Sequence, residues 1–339
     1  MARLSPPERF PGRSRGNQGC LLTLLALSLA YGLLAPARGQ NEVEEGELLR
    51  LAPGESPVTA VAFLPGGKQL VTGARDGMLG IWNIETGQMV RRMRGAASEV
   101  TSLACSPDGR LLAAADKEGG VHLVESESGK RRHSLLGHRD PTLSLCFLAD
   151  GRTLASAAGG VDKTLRTWNT ASGQETARVA LRISSNIYSA AISPEGRWVL
   201  TGHATEVRLW DAATARSVAL KGHTAQVTCA AFSRDSRVAV TGSKDKTVRL
   251  WDLSSRSEIR TLEGHRGPVT AVAVSPDGKR VLSGGEDHAV RLWDWRTGQS
   301  LAVFKGHQGR IHDVAFGPHG LTAASASEDG TVRVWSLPR

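Results

Sequence analysis

The sequence predicts an all-β chain: a seven-bladed β-propeller of four-stranded antiparallel blades, closed by an N-terminal strand that completes blade seven. Three observations support this. A phrase ending in Trp, or once in Val, returns at intervals of 41 to 44 residues. Each interval holds four short alternating segments separated by turn residues. The final interval stops after its third segment, and a spare strand-like segment stands before the first.

The phrases are DGMLGIW ending at Trp82, EGGVHLV at Val124, DKTLRTW at Trp168 and TEVRLW at Trp210. DKTVRLW at Trp251, DHAVRLW at Trp293 and DGTVRVW at Trp335 complete the set. A fixed period of this length marks one supersecondary unit repeated along an array. It outweighs the prior of ~150 residues per domain, which would divide the 339 residues into two.

Taken in chain order, residues 1–39 carry Arg3, Arg9, Arg13 and Arg15, then the apolar run CLLTLLALSLAYGLL at 20–34, then Ala35-Pro36-Ala37. Basic, apolar and small in that order is the pattern of a secretory signal peptide. The run is shorter than the ~17–25 residues that span a bilayer. Arginines before it and acids after it (Glu42, Glu44, Glu45, Glu47) orient the remainder outward. The expectation is an exported protein, periplasmic, extracellular or anchored facing outward. Membrane contact is then made only through residues 20–34, if they stay uncleaved. A cytoplasmic protein with an N-terminal anchor is the alternative. Residues 40–46 read as an acidic linker and 47–339 as the propeller.

Residues 220–262 show how one blade is built. VTCAAF (227–232), VAVTGS (238–243), TVRLWD (247–252) and EIRTL (258–262) alternate as four strands. Turns such as SPDG at 106–109 and 275–278 separate first and second strands; Pro presets the second turn position and Gly frees the fourth. Cys105, Cys146 and Cys229 fall in the first strands of three blades and read as small buried hydrophobes.

Gly222-His223 precedes Trp251-Asp252, Gly264-His265 precedes Trp293-Asp294, and Gly306-His307 precedes Trp335-Ser336, all at the same distance. By these residues the chain resembles the WD-repeat family over residues 47–339, and within it the bacterial-type single-domain proteins with an export signal. The resemblance implies a buried hydrogen-bond network in each blade. Its members are His138, Ser156, Asp162 and Trp168 in blade three, and His223, Thr241, Asp245 and Trp251 in blade five. Blade six offers His265, Ser283, Asp287 and Trp293, and blade seven His307, Ser325, Asp329 and Trp335. Indole, hydroxyl, imidazole and carboxylate satisfy one another in series.

A Ser–His–Asp set also suggests hydrolysis. A catalytic triad occurs once, at an exposed site, whereas this set recurs blade by blade. One His per blade likewise makes no metal site. No catalytic residue, metal or cofactor is assigned.

Only Ser336-Leu337-Pro338-Arg339 follows the last phrase, so blade seven needs a fourth strand. Glu47-Leu48-Leu49-Arg50-Leu51 can supply it, protecting a sheet edge and tying the ends of the ring together. Blades one, two and four lack Gly-His. Val124 and Glu118 replace Trp and Asp in blade two, Ala204 replaces Asp in blade four, and Gly159-Gly160 lengthen a turn of blade three.

The resemblance also places the partner-facing positions. These are Arg75, Glu99, Lys117, Asn186, Tyr188, His203, Gln226, Lys244, Glu286, Arg310, His312 and Glu328. Tyr and Arg dominate interface energies, which singles out Tyr188 and Arg75. The repeated Arg of the third strands (Arg166, Arg208, Arg249, Arg291, Arg333) is expected to point outward and be solvated between blades.

The net charge is +9, but beyond the N-terminus the two signs are interspersed. A nucleic-acid binder would show a basic stripe, so no nucleic-acid partner is expected. The expected function is a non-catalytic, monomeric scaffold whose loop face binds a protein or peptide. The alternatives are a propeller enzyme, either a hydrolase or a quinone-dependent dehydrogenase, and a cytosolic regulatory scaffold.

Overall fold

The computed structural model describes residues 46–338. The signal-peptide or anchor expectation, and all but the last residue of the acidic linker, lie outside these residues. Alternation and turn spacing produce 28 strands, arranged as seven four-stranded sheets. Blade one spans Val58 to Arg94, blade two Val100 to Leu135, blade three Thr142 to Ala180 and blade four Ser189 to Lys221. Blade five spans Val227 to Glu263 and blade six Val269 to Phe304. Blade seven combines Ile311–Phe316, Thr322–Ser327 and Val332–Ser336 with Glu47–Leu51.

Each core lies between two blades. Leu111, Ala113, Val121 and Leu123 of blade two pack against Leu145, Leu154 and Trp168 of blade three. Leu200, Val207 and Leu209 of blade four meet Val227, Ala239 and Trp251 of blade five in the same way. Both faces of a second strand are therefore covered, which is why Leu111–Asp116 is buried at every position. Fourth strands face outward and stay largely exposed, as at Glu175–Ala180.

Hydroxyls staple the innermost strands together. Thr59 Oγ1 donates to the Val100 carbonyl at 2.6 Å, Thr101 Oγ1 to Thr142 at 2.5 Å, and Thr270 Oγ1 to Ile311 at 2.5 Å. The seam between blades seven and one uses a carboxylate instead. Asp313 accepts from the backbone N–H of Val61 and of Val314, each at 2.9 Å.

The ring closes as the sequence predicts. Glu47–Leu51 pairs antiparallel with Val332–Ser336, Glu47 opposite Trp335 and Leu51 opposite Val332. The buried Glu47 carboxylate takes the Arg333 guanidinium. Leu51 packs with Val58, Trp82 and Val334, so the closing strand joins the blade seven to blade one core.

The three cysteines among the described residues, Cys105, Cys146 and Cys229, are free and half-buried rather than fully buried. Burial pushes the Cys105 and Cys229 thiols up to about 12 and Cys146 up to about 11, which holds them protonated and unreactive.

Candidate partner-binding face

The polar networks come first, because they hold the loops that form the face. In blade five the Trp251 indole donates to Thr241 Oγ1 at 2.8 Å, and that hydroxyl lies 2.8 Å from His223 Nε2. His223 Nδ1 stands 2.8 Å from Asp245, whose same oxygen accepts the Thr224 backbone N–H at 3.0 Å. Blades three, six and seven repeat the chain through Ser156, Ser283 and Ser325, with indole–hydroxyl distances of 2.8, 2.8 and 2.9 Å. Each carboxylate thus pins the backbone after its His, as at Arg139, Arg266 and Gln308. Burial lowers the pKa of His138 and His223, keeping them neutral. Burial alone would raise Asp245, but bonds from Thr247 and His223 bring it down to about 2.

The Gly of the Gly-His pairs in blades three, five and six has a steric reason. A Cβ on Gly222 would sit 2.7 Å from Arg249 Nη1 and 3.2 Å from the Trp251 ring. The third-strand arginine lies folded over that point. This corrects the expectation of a solvated outward stripe. Arg166 and Arg333 are buried, and Arg333 lies over the Trp335 ring at 6.0 Å. Arg166 pairs with Glu175 at 2.6 Å and Arg249 with Glu258 at 2.5 Å, both acids on the fourth strand. Arg208 finds Glu206 at 2.7 Å.

Blades two and four have rebuilt networks that the sequence did not reveal. His203 was expected to face a partner; it is 1 % exposed and cannot. Its Nε2 lies 2.8 Å from Thr201 Oγ1, which accepts from Trp210, and its Nδ1 lies 2.8 Å from the Asn186 carbonyl. The imidazole missing before the first strand is therefore supplied from the end of the second. In blade two the carboxylate role falls to Asp116, not Glu118. Asp116 accepts from the backbone of Ala97 at 3.2 Å and of Gly120 at 2.7 Å, and lies 3.1 Å from His122 Nε2. Both side chains are buried, where the lost Trp left Val124. The available signal was His122, standing where five of the other six phrases carry Arg. Blade one keeps Thr72, Asp76 and Trp82 but has Gly54 in place of the His, and a small cavity lies between them.

In blades one, two, five, six and seven, one backbone bond brings the expected face residues together. The N–H of Lys117 donates to the Glu99 carbonyl at 3.0 Å, Lys244 to Gln226 at 2.9 Å, and Glu328 to Arg310 at 3.0 Å. In those five blades the residue before the turn Asp thus stands beside the entry to the first strand. Across blades two, one and seven the charges link up. Lys117 reaches Glu99 at 3.2 Å, and Arg75 lies 3.8 Å from Glu99. Arg75 also forks onto both Glu328 oxygens at 2.8 Å, and His312 meets Glu328 at 2.5 Å. Arg75 holds the Glu328 carboxyl below the usual range, while burial lowers the His312 pKa despite that acid. Arg310 and Glu286 approach at 3.7 Å. Asn186, Tyr188 and Lys244 are exposed and Gln226 half-buried. Tyr188, Arg310 and His312 border a central cavity of about 590 Å³ whose wall includes Asp313 and Cys229. Burial raises Asp313 to about 7. Among the described residues, no group of three His, Cys, Asp or Glu is placed to hold a metal ion.

Seven sheets, repeated indole–hydroxyl–imidazole–carboxylate chains and a loop face of paired charges define a propeller of the WD type. The WD domain, G-beta repeat family model matches residues 46–83, 129–169, 180–211, 215–252, 256–294 and 298–336. That is more than half of the chain, and the chain belongs to this family. The unmatched stretch between 83 and 129 contains the rebuilt network of blade two. The WD40 domain of anaphase-promoting complex subunit 4 matches residues 93–148 there. The chain is similar to Protein tipD of Dictyostelium discoideum, 38 % identical over 108 residues, covering 31 % of this chain and 17 % of that protein. It is similar to the Target of rapamycin complex subunit wat1 of Schizosaccharomyces pombe, 34 % identical over 101 residues, 29 % of this chain and 32 % of wat1. Human WD repeat-containing protein 18 is 31 % identical over 118 residues, 31 % of this chain and 27 % of that protein. The chain thus spans less than a third of each, and all three are eukaryotic proteins.

Proposed function

We propose that this chain is a non-catalytic scaffold whose loop face binds a protein or peptide partner. The observation that carries the reading is the face itself. Its charges on blades two, one and seven are held in a fixed relay, and Tyr188 stands 41 % exposed at the mouth of the central cavity. Preorganised Arg and Tyr side chains around a concavity are the usual anchors of protein recognition. The relatives named as Target of rapamycin complex subunits are members of protein assemblies, which supports the same reading. Export through residues 1–39 remains part of the proposal, resting on the order of basic, apolar and small residues.

The test is affinity capture with the purified protein beside Tyr188→Ala and Arg75→Ala. Both variants should keep the wild-type melting temperature and lose a shared set of captured proteins. An unchanged set would refute the face. Amino-terminal sequencing of the native protein tests export: a start at Arg38, Gly39 or Gln40 is the expected outcome, and an intact start at Met1 refutes cleavage.

A further inference from the structure

The third-strand arginines are neutralised one by one, with a single exception. Glu175 opposes Trp168 in strand register, Glu258 opposes Trp251, and Glu47 opposes Trp335. Each of these acids takes the arginine of its own blade. In blade four, where Ser217 opposes Trp210, Glu206 takes Arg208 instead. In blade six Ser300 opposes Trp293, and residue 289, which matches Glu206, is Ala. Arg291 consequently forms no ion pair among the described residues. Its Nε is buried without a partner, as in Arg249 and Arg333, but those two have a carboxylate at the neighbouring nitrogen.

Arg291 borders a cavity of about 500 Å³ at the rim between blades six and seven. Arg266, Lys305 and His288 border it too, all exposed. None of them has an ion-pair partner among the described residues. One acid lines the cavity, Asp287, and its oxygens already bind His265 and the Arg266 backbone. The rim is therefore a half-buried guanidinium with its carboxylate position vacant, flanked by further cations. Desolvated guanidinium recruits oxyanions through charge-assisted, often bidentate, bonds.

We propose that this rim between blades six and seven is an oxyanion-binding site, in which a ligand carboxylate or phosphate occupies the position that Glu175 and Glu258 hold in their own blades. The site is separate from the central loop face and does not depend on the function proposed for it.

The test is calorimetric titration of the whole protein at constant ionic strength with two probes. One is inorganic phosphate and the other a Gly-Glu-Gly-Glu-Gly peptide, so that a phosphate source and a carboxylate source are distinguished. Saturable binding of either probe is expected. Ser300→Glu supplies the missing acid from within the blade, and should weaken binding about tenfold or more without lowering the melting temperature. Arg266→Ala with Lys305→Ala alters only exposed residues, and should weaken binding about threefold or more. Tyr188→Ala should leave it unchanged. No saturable binding by either probe would overturn the proposal. So would binding that the Arg266/Lys305 double variant leaves intact, even where Ser300→Glu fails to fold.

Discussion

Gly54→His should stabilise the protein by completing the one network that lacks its imidazole. Blade one retains the Trp82 to Thr72 bond at 3.2 Å, but beyond it the Thr72 hydroxyl has only the Gly80 carbonyl at 3.4 Å. Asp76 Oδ1 accepts the Met78 N–H at 3.0 Å, as Asp245 accepts Thr247, and Oδ2 meets only Arg92 at 3.7 Å. A hydroxyl and a carboxylate oxygen therefore both wait beside the cavity. The backbone admits the change: a Cβ at Gly54 would meet Arg92 Nη2 at 3.6 Å, an ordinary contact, and φ is not positive. Two bonds at about 0.5–1.5 kcal/mol each, less about 1 kcal/mol of side-chain ordering, leave a gain on the order of 1 kcal/mol. For a ring of this size that is roughly 2–4 °C in melting temperature. Scanning calorimetry of wild type, Gly54→His, Asp76→Asn and the double variant isolates the new imidazole–carboxylate coupling. A lowered midpoint, or a gain that persists undiminished in the Asp76→Asn background, would refute the reasoning.

Glu47→Gln leaves the buried Arg333 charge uncompensated and should cost about 3–5 kcal/mol in a denaturant titration; deleting residues 40–52 should be more severe, and an unchanged midpoint would sink the closure scheme. His203→Ala should cost about 2–3 kcal/mol, because Thr201 and the Asn186 carbonyl lose their partner; unchanged stability with lost partner capture would restore it as a contact residue. Two opposed pH effects are expected. The native pKa values of His122, His138, His203 and His223 are depressed, so below about pH 6.5 the unfolded chain binds protons that the native one refuses, and stability falls with acid. Asp313 is raised to about 7, so its contribution is present below about pH 4 and lost as pH rises through 7. Asp313→Ser should therefore lose more stability than wild type between about pH 7 and 5; parallel melting curves across that range would refute the assignment.

The blades and their closure could be read from the sequence because they rest on period and alternation, which are linear properties. Glu47–Leu51 was recognisable as a spare strand, and its partner was recognisable as a deficit. The rebuilt networks were not legible for the same reason. Reading by register assigns a role to a position in the repeat, whereas His203 and Asp116 deliver their groups to the same point in space from different backbone positions. The arginines were misread because alternation gives the face of a strand but not what lies over it. A side chain leaving the sheet beside Gly222 folds back across Trp251 and finds an acid on the next strand. The loop-face positions depended on the resemblance; one backbone bond explains their proximity in blades one, two, five, six and seven, whereas His203 of blade four is buried.

Glu47 and Arg333 lie 286 residues apart in the chain, yet they share one buried contact. A chain interrupted before Val332–Ser336 has nowhere to dock Glu47–Leu51, so the first of the described strands and the last sheet both keep bare hydrogen-bonding edges. The seam therefore conceals both edges only when the whole ring has been made.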